Sequence, residues 1–389
     1  SEVVGQGIVF QDWESYIRYV LTNFNIVVID EFQNFNRVDP SFYSTLQKVL
    51  DEEGSRAMLV VVGSYVGMMR TIFEDKKSPL FGRATEIWNL PPLPKEDILP
   101  TIKGSLENRL SVYSMFGGYP KFYVILNQYR VFELERIWSE LIVRKYSPLN
   151  REPYNILLLE FGGEYRTYFS LLEAIARGKV SYVDIANYTG VSTTTLARYL
   201  DDLQAFGVVE KRFPITEGKR SKKSRYFIAD QFVRFWFRYI FPHMDRIESE
   251  KYQDLLQKIK EDFPTFVSWE FEQIIREILK DHFPDIGSWW NRRGDEIDVV
   301  GIDTKNRHIL FGEVKWTNRK LGRESVEKLS AKTELVEGFG RYDKRFLLVS
   351  KGGFTSGCKK RMAEEGIIHW DLKSIDEILI GIRKVQLRF

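Results

Sequence analysis

The chain has 389 residues, and its fractions of hydrophobic (43%), aromatic (14%) and charged (29%) residues exclude collagen-like, coiled-coil and disordered proteins. Its 57 basic and 54 acidic residues give a net charge of +3, too small by itself to indicate a nucleic-acid partner. A single cysteine, Cys358, excludes an internal disulfide and a cysteine-built zinc site. The length predicts two or three domains, and the lack of a long apolar run predicts a cytoplasmic protein with no membrane partner.

The first predicted unit alternates helices with strands, as a parallel sheet with crossover helices does. Helices are predicted over residues 13–24, 40–53 and 65–73. The apolar run 26–29 ends in Asp30 and Glu31, and a second apolar run, 57–62, precedes Ser64. Open α/β sheets bind ligands at the carboxyl ends of their strands, so this pattern predicts a ligand site there. An ordinary strand end is the alternative, because it has the same pattern.

Two acids directly after a strand have the form of a Walker B segment. In such a segment Asp30 would hold a magnesium ion, and Glu31 would orient and deprotonate the attacking water. Ser64 ends the next strand, where its hydroxyl could touch a terminal phosphate. Further along the chain, Arg83 is a candidate arginine finger, with a surface salt bridge as the alternative role.

The middle of the chain is predicted to be a helical lid followed by a winged helix-turn-helix. Prolines 91, 92 and 94 end the first pattern, and helical periodicity follows to about residue 144. The later elements are predicted helices over 182–188 and 192–206, with Ser192 as N-cap, and a hairpin of strands 208–213 and 224–228. Two helices around a tight turn, followed by a hairpin, are typical of a winged helix-turn-helix.

Basic residues concentrate in the hairpin region 211–225, which holds seven Lys or Arg against Glu217 alone, a local charge of +6. Such a charge predicts contacts with the phosphates of double-stranded DNA. The predicted phosphate contacts are Lys219, Arg220, Lys222, Lys223 and Arg225, and the residues predicted to enter the major groove are Thr194 and Arg198. The alternative is a module that only separates domains and carries solvated lysines.

A last α/β unit follows a predicted linker helix. Its predicted elements are helices over 266–282, 323–337 and 374–382 and strands over 296–302, 307–316 and 345–349. Asp298 lies on the first strand, and Glu313 and Lys315 share one face of the second because strand residues alternate. Two carboxylates can bind Mg²⁺ and a scissile phosphate, while a lysine positions water or stabilises developing charge. The pattern resembles the PD-(D/E)xK nuclease core, in which Glu272 would be an additional metal-binding acid. The alternative is that these residues are only exposed charges on the surface of the strands and the helix.

Four segments together resemble one family. They are Val27-Val28-Ile29-Asp30-Glu31-Phe32-Gln33, Val61-Val62-Gly63-Ser64, Ser78-Pro79-Leu80-Phe81-Gly82-Arg83 and Gly117-Gly118-Tyr119-Pro120. The chain resembles the archaeal ATPases, related to AAA+ and STAND nucleotide switches, whose members typically carry a winged helix and a nuclease-like region. The resemblance implies ATP and Mg²⁺ as cofactors, with Asp30 binding the metal, Glu31 catalytic and Ser64 a sensor. It further implies that Arg83 is an arginine finger and that Pro120 lies near the adenine. The alternative for Pro120 is burial in the helical region.

The phosphate-binding loop G-x-x-x-x-G-K-[ST] of that family is absent before Asp30, where the sequence contains only Gly5 and Gly7 and no lysine. Backbone amides and a lysine supply most phosphate contacts, so we do not expect this chain to bind ATP tightly. The N-terminal part is then lost, cleaved off or present on another chain. The predicted partners are double-stranded DNA and either a second copy of the chain or an N-terminal fragment that carries the loop.

The sequence thus predicts a multi-domain α/β protein. Its predicted parts are a truncated parallel-sheet AAA+-like ATPase core (1–92), a helical lid (93–165), a winged helix (166–245), a linker helix (246–262) and a restriction-endonuclease-like domain (263–389). The expected function is ATP binding and hydrolysis coupled to DNA binding, once the missing loop is supplied. One alternative is a magnesium-dependent DNase that uses Asp298, Glu313 and Lys315, and another is a non-catalytic DNA-binding or scaffold protein.

Overall fold

A computed structural model describes residues 9–53, 57–64, 66–218, 220–382 and 384–387. These residues form two compact units. The described residues of the first lie within 9–90, 156–163 and 205–207, and those of the second lie within 91–155, 164–204 and 208–387. Both contain helices and strands, so the predicted mixed α/β class is confirmed. In the described part of the chain, no helix is both long and apolar enough to cross a bilayer.

The first unit is built on two parallel strands, β1 (Ile26–Ile29) and β2 (Met58–Val61). Its helices are Trp13–Asn23, Phe32–Asn34, Phe35–Val38, Phe42–Glu53 and Val66–Glu74. The predicted order of elements is confirmed, although the predicted helix start at Tyr65 lies outside the described residues. One face of the strand pair packs on the helices, whereas Ile26 and Val28 on the other face are 63% and 62% exposed.

Aromatic packing positions the segment that follows β1. Phe32 is fully buried, and its ring lies 5.2 Å from that of Tyr43 and 5.8 Å from that of Phe73. The Tyr43 hydroxyl also donates a hydrogen bond to the Phe32 carbonyl (3.0 Å). Because Phe32 is anchored in this way, the chain turns sharply at Glu31, whose φ of 50° is left-handed.

The second unit begins with the helical region predicted from the sequence. Its helices are Lys95–Ile98, Leu99–Thr101, Leu106–Phe116, Pro120–Tyr129, Leu134–Arg136, Ile137–Ile142 and Glu152–Phe161, the last of which runs into residues of the first unit. Gly118 permits a close backbone contact, because its carbonyl accepts from the Leu93 amide (2.9 Å). A Cβ at residue 118 would lie 2.0 Å from the Leu93 carbonyl oxygen, so only glycine fits there.

A group of helices and a hairpin follows, which we call the helix–hairpin module (165–205 and 208–228). Its elements are the helices Tyr165–Ala176, Tyr182–Thr189 and Thr193–Ala205 and the antiparallel strands β3 (Val209–Arg212) and β4 (Arg225–Ile228). The predicted helix pair and hairpin are therefore present. Ser192 accepts from the Thr195 amide (3.3 Å), as an N-cap does.

A long helix, Gln253–Leu279, connects the module to the last part of the unit. Short helices precede it at Gln231–Phe235, Trp236–Ile240, Phe241–His243 and Met244–Glu248. The sequence predicted a linker helix over 246–262 and a separate helix from residue 266, but the structure has one helix with Pro264 inside it. Phe263 and Phe266 are both buried on one side, so packing of the apolar stripe outweighs the helix-breaking tendency of the proline.

The last part is a five-stranded sheet in the order β5-β6-β7-β8-β9, antiparallel from β5 to β7 and parallel from β7 to β9. The strands are β5 (Asp285–Trp290), β6 (Glu296–Asp303), β7 (His308–Lys315), β8 (Asp343–Ser350) and β9 (Ile368–Trp370). The helices are Lys280–His282, Arg323–Thr333, Ser356–Glu364 and Leu372–Leu379. Sequence reasoning predicted β6, β7 and β8 but missed β5, β9 and the helix Ser356–Glu364.

Candidate functional site

Two buried carboxylates on neighbouring strands share one lysine. Asp298 on β6 is 7% exposed, and Glu313 on β7 is 8% exposed. The Lys315 Nζ lies 3.2 Å from Asp298 Oδ2 and 2.7 Å from Glu313 Oε1. The three residues predicted from the sequence to form a cluster are thus in direct contact. We call them the carboxylate–lysine cluster.

The local structure of β7 explains this geometry. Glu313 and Lys315 are two residues apart on one strand, so their side chains project from the same face. The amide of Val314, between them, donates a hydrogen bond to Asp298 Oδ2 (2.8 Å). The backbone of β7 therefore holds the Asp298 carboxylate beside the lysine.

Burial and charge shift the proton affinities in the cluster. Burial raises the pKa of Asp298, and Glu313 raises it further, although Lys315 acts in the opposite direction. Burial by itself would lower the pKa of Lys315, but the charges of Asp298 and Glu313 outweigh that effect and raise it. Lys315 is therefore a permanent cation between the two carboxylates at neutral pH.

Two further basic residues hold the cluster, and sequence reasoning missed both. Lys332 donates to Oε1 (3.2 Å) and Oε2 (2.9 Å) of Glu313. The Arg276 guanidinium is 8% exposed and donates to the main-chain carbonyl of Asp298. The spacing of Arg276 four residues after Glu272 is a sequence signal that could have found it. No local pattern marks Lys332.

Glu272 lies beside the cluster on the long helix. Its Oε2 lies 3.8 Å from the Arg276 guanidinium, and about a quarter of its side chain (24%) is exposed. Burial and the negative charge of Asp298 raise the pKa of Glu272 to about 8. At neutral pH the Glu272 carboxyl is therefore mostly protonated.

The donor atoms of the cluster fit a magnesium ion, although the described residues contain no group of three or more His, Cys, Asp or Glu arranged to hold a metal. Mg²⁺ is bound by one or two carboxylates together with waters and substrate phosphates, so a pair suffices. Asp298 and Glu313 offer that pair. Glu272, which was predicted as a further metal-binding acid, is mostly protonated near neutral pH and is a poorer ligand in that state.

The first unit contains a second group of predicted residues. The Ser64 hydroxyl lies 3.2 Å from Oε1 and 3.3 Å from Oε2 of Glu31. Gln33, which sequence reasoning did not single out, is fully buried and donates through Nε2 to Glu31 Oε2 (2.5 Å). Asp30 is exposed at a cavity of about 270 Å³ and accepts a hydrogen bond from the Glu31 amide (2.8 Å).

Arg83 and Pro120 were also predicted to be nucleotide-binding residues. The Arg83 guanidinium forms a two-point ion pair with Asp51 (3.0 and 2.7 Å) and also donates to the Pro79 carbonyl (3.0 Å), as the salt-bridge alternative predicts. A finger role would require this pair to open. Pro120 is the exposed first residue of its helix in the second unit, so the alternative of burial in the helical region is wrong.

The residues predicted to contact DNA have different environments. Thr194, Arg198, Arg220 and Lys222 are exposed, and Lys219 lies outside the described residues. Arg198 forms an ion pair with Glu164 (2.7 Å). Lys223 pairs with Glu217, and Arg225 pairs with Glu296 (2.6 Å). The pair with Glu296 therefore offsets one unit of the +6 read from the sequence, in which Glu217 is already counted.

Comparison with solved structures gives weak similarity. Can2 from Sulfobacillus thermosulfidooxidans, determined in complex with cyclic tetra-adenylate, is 12% identical with a TM-score of 0.23; the match covers 94% of this chain and 95% of that one. Protein VC1899 from Vibrio cholerae is 11% identical with a TM-score of 0.22; that match covers 96% and 95%. Similarity at this level supports no conclusion about fold or function.

Sequence comparison is more informative. The family DUF234, described as archaea bacterial proteins of unknown function, matches residues 236–329. That region includes the long helix, β5, β6 and β7, and hence Glu272 and the whole carboxylate–lysine cluster. The uncharacterized protein MJECL04 of Methanocaldococcus jannaschii is 32% identical over 364 residues, which cover 88% of this chain and 78% of that protein. The chain therefore belongs to the same protein family as MJECL04 and carries the DUF234 region.

Proposed function

We propose that this protein cleaves the phosphodiester backbone of double-stranded DNA at the carboxylate–lysine cluster. The observation that carries the proposal is the contact of one ammonium group, Lys315, with two buried carboxylates from adjacent strands. Cutting a phosphodiester requires a site that binds negative oxygens and positions a water molecule. A carboxylate pair and a fixed cation supply these elements.

The burial of the cluster favours a functional role over a structural one. Moving a carboxylate out of water costs several kcal/mol unless it is paired, and well-packed apolar residues usually stabilise a core as well or better. Charged residues on a strand that serve only solubility are exposed, whereas Asp298 and Glu313 are more than 90% buried. Perturbed carboxyl groups next to a specific cation are typical of catalytic sites.

Each residue of the cluster has a distinct role in the proposed reaction. Asp298 and Glu313 would hold Mg²⁺, which when bound polarises a phosphate oxygen and its own bound water. Lys315 orients the attacking water and stabilises negative charge at phosphorus. As the water oxygen bonds to phosphorus and the bond to the leaving oxygen breaks, the attacking water gives up one proton to the solvent, and the leaving oxygen takes up one proton from the protonated Glu272 carboxyl. Arg276 positions Asp298 through the main chain.

Nicking of supercoiled plasmid DNA tests this function. In the presence of Mg²⁺ or Mn²⁺, we expect the protein to relax the plasmid, and Asp298→Ala to reduce the rate about 100-fold or more. Asp303→Ala is the matched control, because Asp303 lies at the far end of the same strand and caps the turn at Asn306. No nicking by the unaltered protein with either metal would reject the proposal and leave a non-catalytic DNA-binding or scaffold role.

A second function, ATP binding and hydrolysis in the first unit, is supported by the contact between Glu31 and Ser64. A glutamate after one strand and a hydroxyl after the next are the parts that position water at a nucleotide in Walker-type sites. The exposed apolar face of β1 gives further support, because parallel sheets are normally covered on both faces. This function needs a phosphate-binding loop, which residues 1–29 do not supply.

ATP hydrolysis by a chain that is supplied with a G-x-x-x-x-G-K-[ST] segment tests the second function. We expect turnover that Glu31→Gln abolishes, because the amide cannot deprotonate water. Asn34→Ala, which removes one side-chain hydrogen bond to Glu31 (3.2 Å), is expected to have a smaller effect. Turnover that is unchanged in Glu31→Gln would contradict this function.

A further inference from the structure

The basic hairpin of the helix–hairpin module is fixed against the edge strand of the five-stranded sheet. The Ile215 amide donates to the Ser288 carbonyl (2.9 Å), and the Trp290 indole donates to the Lys223 carbonyl (2.8 Å). Gly287 leaves room for this contact, since a Cβ there would lie 3.3 Å from the Ile215 side chain. The loop between β3 and β4 therefore lies beside β5 and the turn that joins β5 to β6.

The acids of that turn have internal partners. Glu296 forms an ion pair of 2.6 Å with Arg225 of β4. Asp295 accepts from the Asn291 side-chain amide (2.8 Å), and the Asn291 side-chain oxygen accepts from the Arg293 amide (2.8 Å). These bonds give the turn a defined shape. They also leave its two arginine side chains, at positions 292 and 293, exposed to solvent.

The acid of the basic loop is also engaged. Glu217 pairs with Lys223 and accepts from the Ser221 hydroxyl. Hydrogen bonds from Lys223 and Ser221 lower the pKa of Glu217, and the charge of Arg292 lowers it further. The hydrogen bond from Trp290, the last residue of β5, to the Lys223 carbonyl places the basic loop next to the turn that follows β5.

Four exposed cations from two separate segments therefore share one surface: Arg220 and Lys222 from the loop, and Arg292 and Arg293 from the turn. We infer that these four side chains form a single phosphate-binding surface for double-stranded DNA, which presents the duplex to the carboxylate–lysine cluster. This inference rests on the proposed cleavage function, since it assigns how the substrate is held.

The short stretch of chain between the turn and the cluster limits the size of the surface. Asp298 comes five positions after Arg293, so at 3.3–3.4 Å per residue for an extended chain the two residues are at most about 17 Å apart. Successive base pairs rise about 3.4 Å, so this distance corresponds to at most roughly five base pairs. A duplex whose backbone contacts the turn therefore passes within about five base pairs of the cluster.

Binding of a labelled duplex of about 30 base pairs, measured by fluorescence anisotropy over a range of salt concentrations, tests the inference. The variants are Arg292→Glu with Arg293→Glu, Arg220→Glu with Lys222→Glu, and the control Lys360→Glu with Lys373→Glu, which reverses two exposed lysines on other helices. We expect each of the first two double substitutions to weaken binding about tenfold or more at ~0.1 M salt. We also expect each pair to reduce the slope of log affinity against log salt by about 2, one per side chain. The control is expected to change affinity by about twofold at most.

All of these variants are made in a protein that also has the substitution Asp298→Asn, so that the DNA is not cut while binding is measured. The binding result is then independent of the proposed cleavage. A loss of affinity in the loop pair but not in the turn pair would overturn the shared surface while leaving the cleavage proposal intact. No effect of either pair, or tighter binding of single-stranded RNA than of the duplex, would also overturn it. Unchanged thermal unfolding of the variants is the check that a loss of binding is not a loss of folding.

Discussion

At the scale of single residues, the candidate cleavage site consists of buried charges that neutralise one another. Asp298 and Glu313 share Lys315, and Lys332 gives Glu313 a second ammonium. Removing one partner of a buried pair leaves the other uncompensated, which costs far more than the loss of a surface salt bridge. Single substitutions in this cluster should therefore have large and specific effects.

Lys332 is predicted to position Glu313. We expect Lys332→Met to lower the cleavage rate about tenfold and to raise the magnesium concentration needed for half-maximal rate, because Glu313 loses the partner that orients it. Lys328→Met, at an exposed position of the same helix, is the control and should leave both unchanged. A tenfold loss of rate without any change in the magnesium dependence would contradict a positioning role.

The raised pKa of Glu272 predicts that the free energy of unfolding depends on pH. Its folded pKa of about 8 lies above the ordinary 4.5, so the folded state binds this proton more tightly than the unfolded state does. The stability that protonated Glu272 contributes to the folded state is fully present below about pH 4.5 and is lost as pH rises through about 8. Glu272→Gln stays uncharged, so between about pH 5 and pH 9 its free energy of unfolding should gain about 1–3 kcal/mol relative to the unaltered protein. This range allows for the partial exposure of the side chain.

Urea unfolding of both proteins at the two pH values measures this difference. Glu261→Gln, an exposed change on the same helix, is the control and should show no such pH dependence. A difference between Glu272→Gln and the unaltered protein that stays constant with pH would show that Glu272 is ionised throughout.

At the scale of elements, prediction succeeded where the sequence pattern is local. Strands β6 and β7 were predicted because apolar residues extend over most of their length, and the alternation of Glu313 and Lys315 correctly brought both side chains to one face. Strand β5 was missed because Gly287 and Ser288 interrupt its apolar pattern, and its pairing depends on β6 and on the contact with Ile215. Strand β9 has only three residues, too few for any period to be recognised.

Pro264 gives a prediction about the long helix. The proline is exposed, so its ring contributes little packing, yet it lacks the amide that a helix interior uses. We expect Pro264→Ala to raise the free energy of unfolding by about 1–2 kcal/mol, the regained hydrogen bond and helix propensity outweighing the greater freedom of the unfolded chain. Thr265→Ala, an exposed neighbour, should gain less than about 0.7 kcal/mol. A lower melting temperature for Pro264→Ala would contradict this explanation.

At the scale of the whole molecule, the net charge of +3 conceals how charge is distributed. The sequence located the basic stretch, but not the internal pairing of Lys223 and Arg225, because their partners depend on the folded hairpin and on the start of β6. For the same reason Asp298, Glu313 and Lys315 could be predicted as a site, whereas the contribution of Lys332 from a separate helix could not. Contacts between distant segments are set by packing, which no local pattern records.

The most direct test of the account measures binding and cleavage of one labelled DNA duplex in the same samples, with Mg²⁺ present. For Asp298→Asn and Lys315→Met we predict that cleavage falls about 100-fold or more, while the dissociation constant stays within about threefold of that of the unaltered protein. That result would assign the carboxylate–lysine cluster to the chemical step. Cleavage that persists at its full rate in Asp298→Asn would contradict the account.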